Sequence, residues 1–319
     1  MVEYSSQAVK KLALLLIALA LLLGGVALYQ YRTAPRADRP TLTVYCAAGL
    51  KKPVEAVAQQ YQREEGVEVR LQYGGSGTLL SQLRVAKQGD LFIAADDGSV
   101  ADARKAEVIH EVLPLAKQHP IIGVRAGNPK NIHGIEDLLR DGVKVALANP
   151  DAASISRVSR TVLGDTWAKL AAHATVMKPT VSEVAADLSL GTVDAAIIWD
   201  STVTQFKDTQ AVEVPELAAR VENASACVLN FAPQAAAALR FARYLCAPEK
   251  GGAIFKASGF TPAGGDKWAA APELILYSGG VNRPAVEGLL KKFADREGAT
   301  VTTVFNGCGI LCASMKTMG

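Results

Sequence analysis

Charge of one sign is scarce in this chain: 34 Lys and Arg stand against 31 Asp and Glu, a formal net charge of +3 over 319 residues. That balance, spread over segments that mix Lys with Glu, leaves no electrostatic footprint for a polyanion and excludes nucleic acid as a partner. Cysteine is scarce too. Cys46, Cys227, Cys246, Cys308 and Cys312 are too few and too scattered for a disulfide scaffold. Cys227 and Cys246 could pair in an exported protein, and buried free thiols fit equally well. The four histidines, His110, His119, His133 and His173, share no ligand spacing with each other or with the cysteines, so a zinc site has little support. No Ser/His/Asp order attaches to a nucleophile turn, and no isolated carboxylate pair suggests acid-base work. No catalytic residue and no cofactor is therefore expected, and Asp96 and Asp97 are expected to end a strand and cap the next element.

Apolar residues are abundant, at 50% hydrophobic against 20% charged, enough for one or two globular domains with proper cores. The longest run is Leu12 to Tyr29, eighteen residues without a charge, preceded by Lys10 and Lys11. As a helix it would rise ~27 Å at ~1.5 Å per residue, nearly the hydrocarbon thickness of a bilayer and longer than the usual signal-peptide core. An uncleaved membrane anchor is the expectation. Residues 32–40, RTAPRADRP, read as a solvated linker, so residues 1–40 form an anchor-and-linker segment.

From Thr41 strand and helix alternate. TLTVYCA is a short β-rich run, PVEAVAQQYQREEG has helical spacing and a closing Gly66, and VEVRLQY alternates like a strand. A helix over Thr78 to Lys87 and the continuous apolar run DLFIAAD follow. PIIGVRA, KVALAN and AAIIW read as further strands, separated by helical stretches at Ile135 to Leu139, Arg157 to Leu163 and Val181 to Leu190. The pattern predicts an α/β protein with parallel sheets.

In such sheets ligands sit at the carboxyl ends of strands, where loops lead into helix N-termini. AAGLKKP, Ala47 to Pro53, and YGGSGTL, Tyr73 to Leu79, are two such loops. Free backbone N–H groups at the positive end of a helix dipole, flanked by small residues, suit an anion. The Gly-rich turn is not a nucleotide P-loop, because Gly77 is followed by Thr78, Leu79 and Leu80 rather than a Lys-Ser/Thr pair. Nor is it a floppy linker, since strand and helix signals abut it. An anion-binding helix start and a tight structural turn both remain open.

The order LTVYCAAGL, YGGSGTLLSQL, GDLFIAAD, AAIIWDS and GAIFKASGFTPAG resembles the periplasmic molybdate-binding proteins of ABC transporters, from Thr41 to about Gly264. The resemblance implies a type II periplasmic-binding fold of two α/β lobes joined by crossing strands, with an oxyanion closed between them. Lobe 1 would comprise residues 41 to about 119 and about 228 to 264, and lobe 2 about 120 to 227. It further implies that neutral hydroxyls and backbone N–H groups hold the ligand. Carried onto this sequence, those positions are Gly49, Ser76 with Gly77, the helix start at Ser154 and Ile155, a backbone donor at Val184, and Trp199. Two depart from the family pattern. Gly49 keeps its N–H but lacks the family's serine hydroxyl, and Trp199 replaces a tyrosine with an indole that donates and cannot accept. Asp200 would repel a dianion if it pointed inward, and is expected to point outward.

The implied function is delivery of a molybdate-like oxyanion to an ABC permease by an anchored extracytoplasmic binding protein. Fe(III) or sulfate as cargo, and a sensory receptor of the same fold, are the alternatives.

Leu274 to Gly319 repeats Leu42 to Lys87 at a constant offset of 232 without a gap: Tyr45 meets Tyr277, Glu55 meets Glu287, Gly66 meets Gly298, and Gly75 and Gly77 meet Gly307 and Gly309. An internal repeat is the simplest account, so residues 265–319 are expected to begin a second, incomplete binding module of a tandem protein. Cys308 takes the place of Ser76, with Cys312 one helical turn later. A thiol-redox role for that pair has little support, since the C-x-x-C spacing is absent.

Overall fold

The computed structural model describes residues 40–318. The expected anchor, Leu12 to Tyr29, lies outside them, and among the described residues no helix is long and apolar enough to cross a membrane.

The first part of the chain runs β1 (Thr41–Ala47), α1 (Lys51–Glu65), β2 (Glu68–Gly74), α2 (Ser76–Ala86), β3 (Leu91–Ala94), α3 (Asp97–Lys105) and β4 (Ile109–Gln118). Helix α1 buries Val54, Val57, Ala58 and Tyr61, one face at i, i+3, i+4 spacing, and ends at Gly66, whose φ of 72° is left-handed. After the single linking residue His119 follow β5 (Pro120–Arg125), β6 (Val145–Ala148), α4 (Ser154–Leu163), α5 (Asp165–His173), β7 (Val176–Lys178), α6 (Val181–Ser189), β8 (Ala195–Trp199), α7 (Asp200–Val203), β9 (Thr209–Val212) and α8 (Pro215–Ala218). The chain then returns through β10 (Glu222–Leu229), α9 (Ala235–Cys246), α10 (Ala253–Ala257) and β11 (Thr261–Pro262).

These strands build two sheets. One has the order β11-β4-β10-β3-β1-β2 and the other β7-β6-β8-β5-β9. Each carries its own core, so the region is two-lobed: Leu42, Val44, Phe241 and Tyr244 lie in one, Ile121, Leu147, Ile197 and Trp199 in the other. The fully buried runs LFIA, VALA and AAIIW form central strands covered on both faces.

The sheets are mixed rather than parallel throughout. β1 pairs in parallel with β2 and β3, and β6 with β7 and β8, whereas β5 runs antiparallel to β8 and β9 and β10 antiparallel to β3 and β4. The antiparallel strands are those that carry the chain between lobes. β10 belongs wholly to the first sheet, so the return begins at Glu222 and not at the expected Val228. The periodicity reading passed over β4 and β10. Pro114 interrupts β4 at a register shift opposite Ser225, and β10 is rich in Ala and Ser.

All five cysteines are free. Cys227 and Cys246 do not pair, because they pack in different apolar clusters of the first lobe.

A third, two-stranded sheet follows: β12 (Glu273–Gly279), α11 (Arg283–Glu297), β13 (Thr300–Asn306) and α12 (Cys308–Met318). Its pairing runs from Glu273 with Thr300 to Gly279 with Asn306, where β1 and β2 pair from Thr41 with Glu68 to Ala47 with Gly74. It rests on lobe 1 through Arg243 and Glu297, 2.6 Å apart, and through an ion pair of Arg296 with Glu111.

Candidate functional site

Loops from both sheets enclose a small cavity of about 10 Å³ between the lobes. Residues 47–49 follow β1, 74–76 follow β2 and Ala95 follows β3; from lobe 2 come 153–155 after β6, Thr180 and Val181 after β7, and Trp199 at the end of β8. Every contributor sits at the carboxyl end of a strand, where helix N-termini and crossover loops collect. None of these lining residues is charged.

Ser76 opens α2 and is buried, with its Oγ accepting a hydrogen bond of 3.3 Å from the Ala95 N–H. That bond uses a lone pair and leaves the hydroxyl proton to donate. Ala95 is itself held by Gln118, whose Nε2 donates to the Ala95 carbonyl at 2.8 Å, and Gln118 Oε1 accepts from Ser201 Oγ at 3.0 Å. A buried polar chain thus ties Ser76 to the crossover at Gln118 and to the segment after Trp199.

Gly49 lies in the 3-10 turn Ala48–Leu50 that links β1 to α1. A Cβ there would stand 2.9 Å from Val181 Cγ1 and 3.7 Å from Trp199 Cδ1. Val181 therefore crowds the space a serine side chain would need at position 49, and the indole of Trp199 lies in van der Waals contact beyond it. Trp199 is buried, and its Nε1 has no hydrogen-bond partner among the described residues. Of the buried side-chain atoms orphaned in this way, it alone belongs to a residue lining this cavity. An unpaired buried N–H costs ~1 to 3 kcal/mol, so the arrangement favours an incoming acceptor.

Ser154 and Ile155 open α4 and line the cavity, as expected. Their N–H groups belong to the first turn, which has no intrahelical acceptor. Two expected donors are corrected. The Val184 N–H is spent on the Thr180 carbonyl at 3.2 Å, one turn inside α6. The residue of that helix at the cavity is Val181, at its first position, with Thr180 as N-cap. Thr180 Oγ1 accepts from the Glu183 N–H at 3.2 Å and donates to Glu183 Oε2 at 2.6 Å. That T-x-x-E capping box was the sequence signal for the helix start.

Gly77 is the second correction. Its N–H, and that of Thr78, donate across the cleft to the Ala152 carbonyl at 3.0 and 3.4 Å. A Cβ on Gly75 would fall 2.3 Å from Ala152 O, and one on Gly77 2.5 Å from Asp151 O. These glycines admit the backbone of the other lobe, and of the turn's residues Gly74, Gly75 and Ser76 line the cavity while Gly77 does not.

The charged neighbours turn elsewhere. Asp200 Oδ1 accepts from the His119 N–H at 3.1 Å and its Oδ2 lies 3.2 Å from His119 Nδ1. Burial raises its pKa, opposed by the His119 hydrogen bond and charge. Lys51 sits over the Tyr73 ring, 5.1 Å from its centroid. Asp96 accepts from the Ser99 N–H at 3.1 Å, the N-cap role expected of it.

A protein family described as bacterial extracellular solute-binding protein matches residues 42–261. The molybdate-binding protein ModA of Mycobacterium tuberculosis is 27% identical over 229 residues, 71% of this chain and 86% of that protein. Among solved structures, the sulfate-binding protein SubI of M. tuberculosis has a TM-score of 0.60 at 20% identity, covering 83% of this chain and 94% of that one. Iron-bound HitA of Pseudomonas aeruginosa has a TM-score of 0.57 at 16% identity, covering 72% and 89%. These two likenesses speak to the two-lobe fold alone. With the family match spanning most of its length, the chain belongs to the bacterial extracellular solute-binding proteins.

Proposed function

We propose that this protein captures a small, fully ionised tetrahedral oxyanion of the molybdate kind outside the cytoplasm and passes it to an ABC transporter permease. The observation that carries the reading is the orphaned Nε1 of Trp199, a residue lining a cavity bordered by uncharged residues and helix starts. An indole N–H donates and never accepts, which suits an anion with no proton of its own. The donors available to such a ligand are the turn at Ala48 and Gly49, Ser76, the α4 start at Ser154 and Ile155, Val181 and Trp199.

Each hydrogen bond to a charged group contributes ~1.5 to 3 kcal/mol. Micromolar binding needs ~8 kcal/mol in all, net of the cost of stripping water from a dianion, so several of these donors must act together. The molybdate-binding relative supports the oxyanion, while the structural neighbours include a sulfate-binding and an iron-bound protein and do not fix the ion. Iron is disfavoured by donor chemistry, because the lining offers no carboxylate, phenolate or imidazole.

Hinge closure of the lobes would bury the ion, and the closed form would be what the permease meets. No bond to the ligand is made or broken. Leu12 to Tyr29 supplies the anchor in this reading. The β12 to α12 unit is read as a second, incomplete copy of the β1 to α2 unit, on the strength of its matching element order and strand register.

Calorimetric titration of the protein with molybdate, tungstate, sulfate, phosphate and Fe(III) tests the proposal. Saturable heat with a fully ionised oxyanion, weakened about tenfold or more by Trp199→Phe, is expected. Heat with Fe(III) alone, or with none of the ions, overturns it.

A further inference from the structure

Arg157 lies one turn into α4, just past the ligand-facing Ser154 and Ile155, and its guanidinium leaves lobe 2 altogether. It forms an ion pair with Asp96, donates to Ser99 Oγ at 2.8 Å and donates to Asp102 Oδ2 at 2.8 Å, all three on or next to α3 of lobe 1. Asp96 is fully buried, while Arg157 is only a quarter exposed. Gly98 makes room for the contact: a Cβ there would lie 3.1 Å from Arg157 Nη2 and 3.0 Å from Asp96 Oδ2. The other cross-lobe bonds near α4, from the Gly77 and Thr78 N–H groups to Ala152 O, are made by the turn just before the same helix.

We propose that Arg157 is the positioning residue of the closed cleft, holding the α4 donors over Ser76 by latching α4 to α3. It does not touch the ligand cavity. Its three partners are on the opposite lobe, so moving α4 away from α3 would break them, and in this proposal the latch sets how long the closed form persists. This rests on the hinged-closure reading above, though not on the identity of the ligand. A planar fork that meets Asp96, Ser99 and Asp102 together is a task for guanidinium, which a lysine could do only in part. Severing a partly buried charge pair across an interface acts chiefly on dissociation.

Nitroxide labels at Gln88→Cys and Lys169→Cys, on exposed positions of the two lobes, in a Cys308→Ser/Cys312→Ser background, report the interlobe distance by pulsed electron resonance. The full chain is measured with and without saturating molybdate. Arg157→Ala is expected to move the ligand-free distribution toward longer distances, with Arg157→Lys in between. Stopped-flow Trp fluorescence with molybdate is expected to show dissociation ~10-fold faster or more, with association little changed. Asp102→Asn removes the charge from one contact at a half-exposed carboxylate while keeping an acceptor oxygen, and gives a smaller shift of the same sign, which decides the matter should Arg157→Ala lose its fold. Wild-type distance distributions in Arg157→Lys and Asp102→Asn overturn the latch. If molybdate binds no variant, the ligand assignment fails while the ligand-free distances still decide the latch.

Discussion

Residues 41–86 and 273–318 pass through the same elements and pair their strands in the same register, yet only the first stretch helps to build a cleft. The difference lies in what surrounds each. β1 is flanked by β2 and β3, and α1 is covered by α9, where Tyr61 meets Phe241 and Tyr244 with ring centroids 4.9 Å away in each case. β12 has β13 as its only partner strand among the described residues, and Ile275, Leu289 and Ile310 stay exposed. The first Gly-rich turn has a second lobe against it, and its counterpart has none among the described residues. The first turn meets Ala152 across the cleft, whereas Gly307 and Gly309 have nothing within 4 Å of a built Cβ.

That contrast can be broken position by position. Leu42 is fully buried and its counterpart Leu274 is 44% exposed. Leu42→Ala is expected to cost ~2 to 5 kcal/mol in chemical denaturation, and Leu274→Ala under ~1 kcal/mol. Gly75→Val is expected to weaken oxyanion binding ~100-fold or more, because its side chain meets a backbone carbonyl that must retreat, while Gly307→Val leaves affinity unchanged by calorimetry.

Ser76→Ala is expected to reduce affinity between about tenfold and a hundredfold, and Cys308→Ala to leave it alone. The smallest effect concerns acid. Glu64 is held down to about 2 from its ordinary 4.5, first by a hydrogen bond from Lys250 at 2.7 Å and then by Gln60 and Tyr244. The folded pKa is depressed, so the stabilisation is present above pH 4.5 and is lost as pH falls toward 2. Lys250→Met should flatten that part of the stability profile in acid titration. Arg296, at the equivalent place in the C-terminal unit, pairs instead with Glu111.

Local signals carried much of this design. The β-α-β order, the helix start at Val181 and the buried strands LFIA and AAIIW follow from spacing and composition, because each is decided by near neighbours in the chain, whereas the helix after the Gly-rich turn begins at Ser76, two residues before the expected Thr78. Other parts depend on residues far apart or on local signals that composition obscures. Nothing near Gly77 announces that its N–H will meet Ala152, so it read as a ligand donor. Val184 was placed a turn too deep although Thr180 and Glu183 already marked the helix start. Pro114 and the alanines of β10 disguised the strands that join the lobes. The absence of a side chain at Gly49 depends on Val181, 132 residues away, whose Cγ1 would lie 2.9 Å from a Cβ there.

The most direct test reads the indole N–H groups of Trp167, Trp199 and Trp268 by 15N–1H correlation as oxyanion is added, with Trp199→Phe assigning the signal. Trp167 is buried in the second core and Trp268 lies under Arg240, 4.9 Å from its guanidinium carbon. A downfield shift and slowed exchange confined to Trp199, saturating with the binding heat, is the predicted result. Binding heat from an oxyanion with the Trp199 signal unmoved would contradict the account.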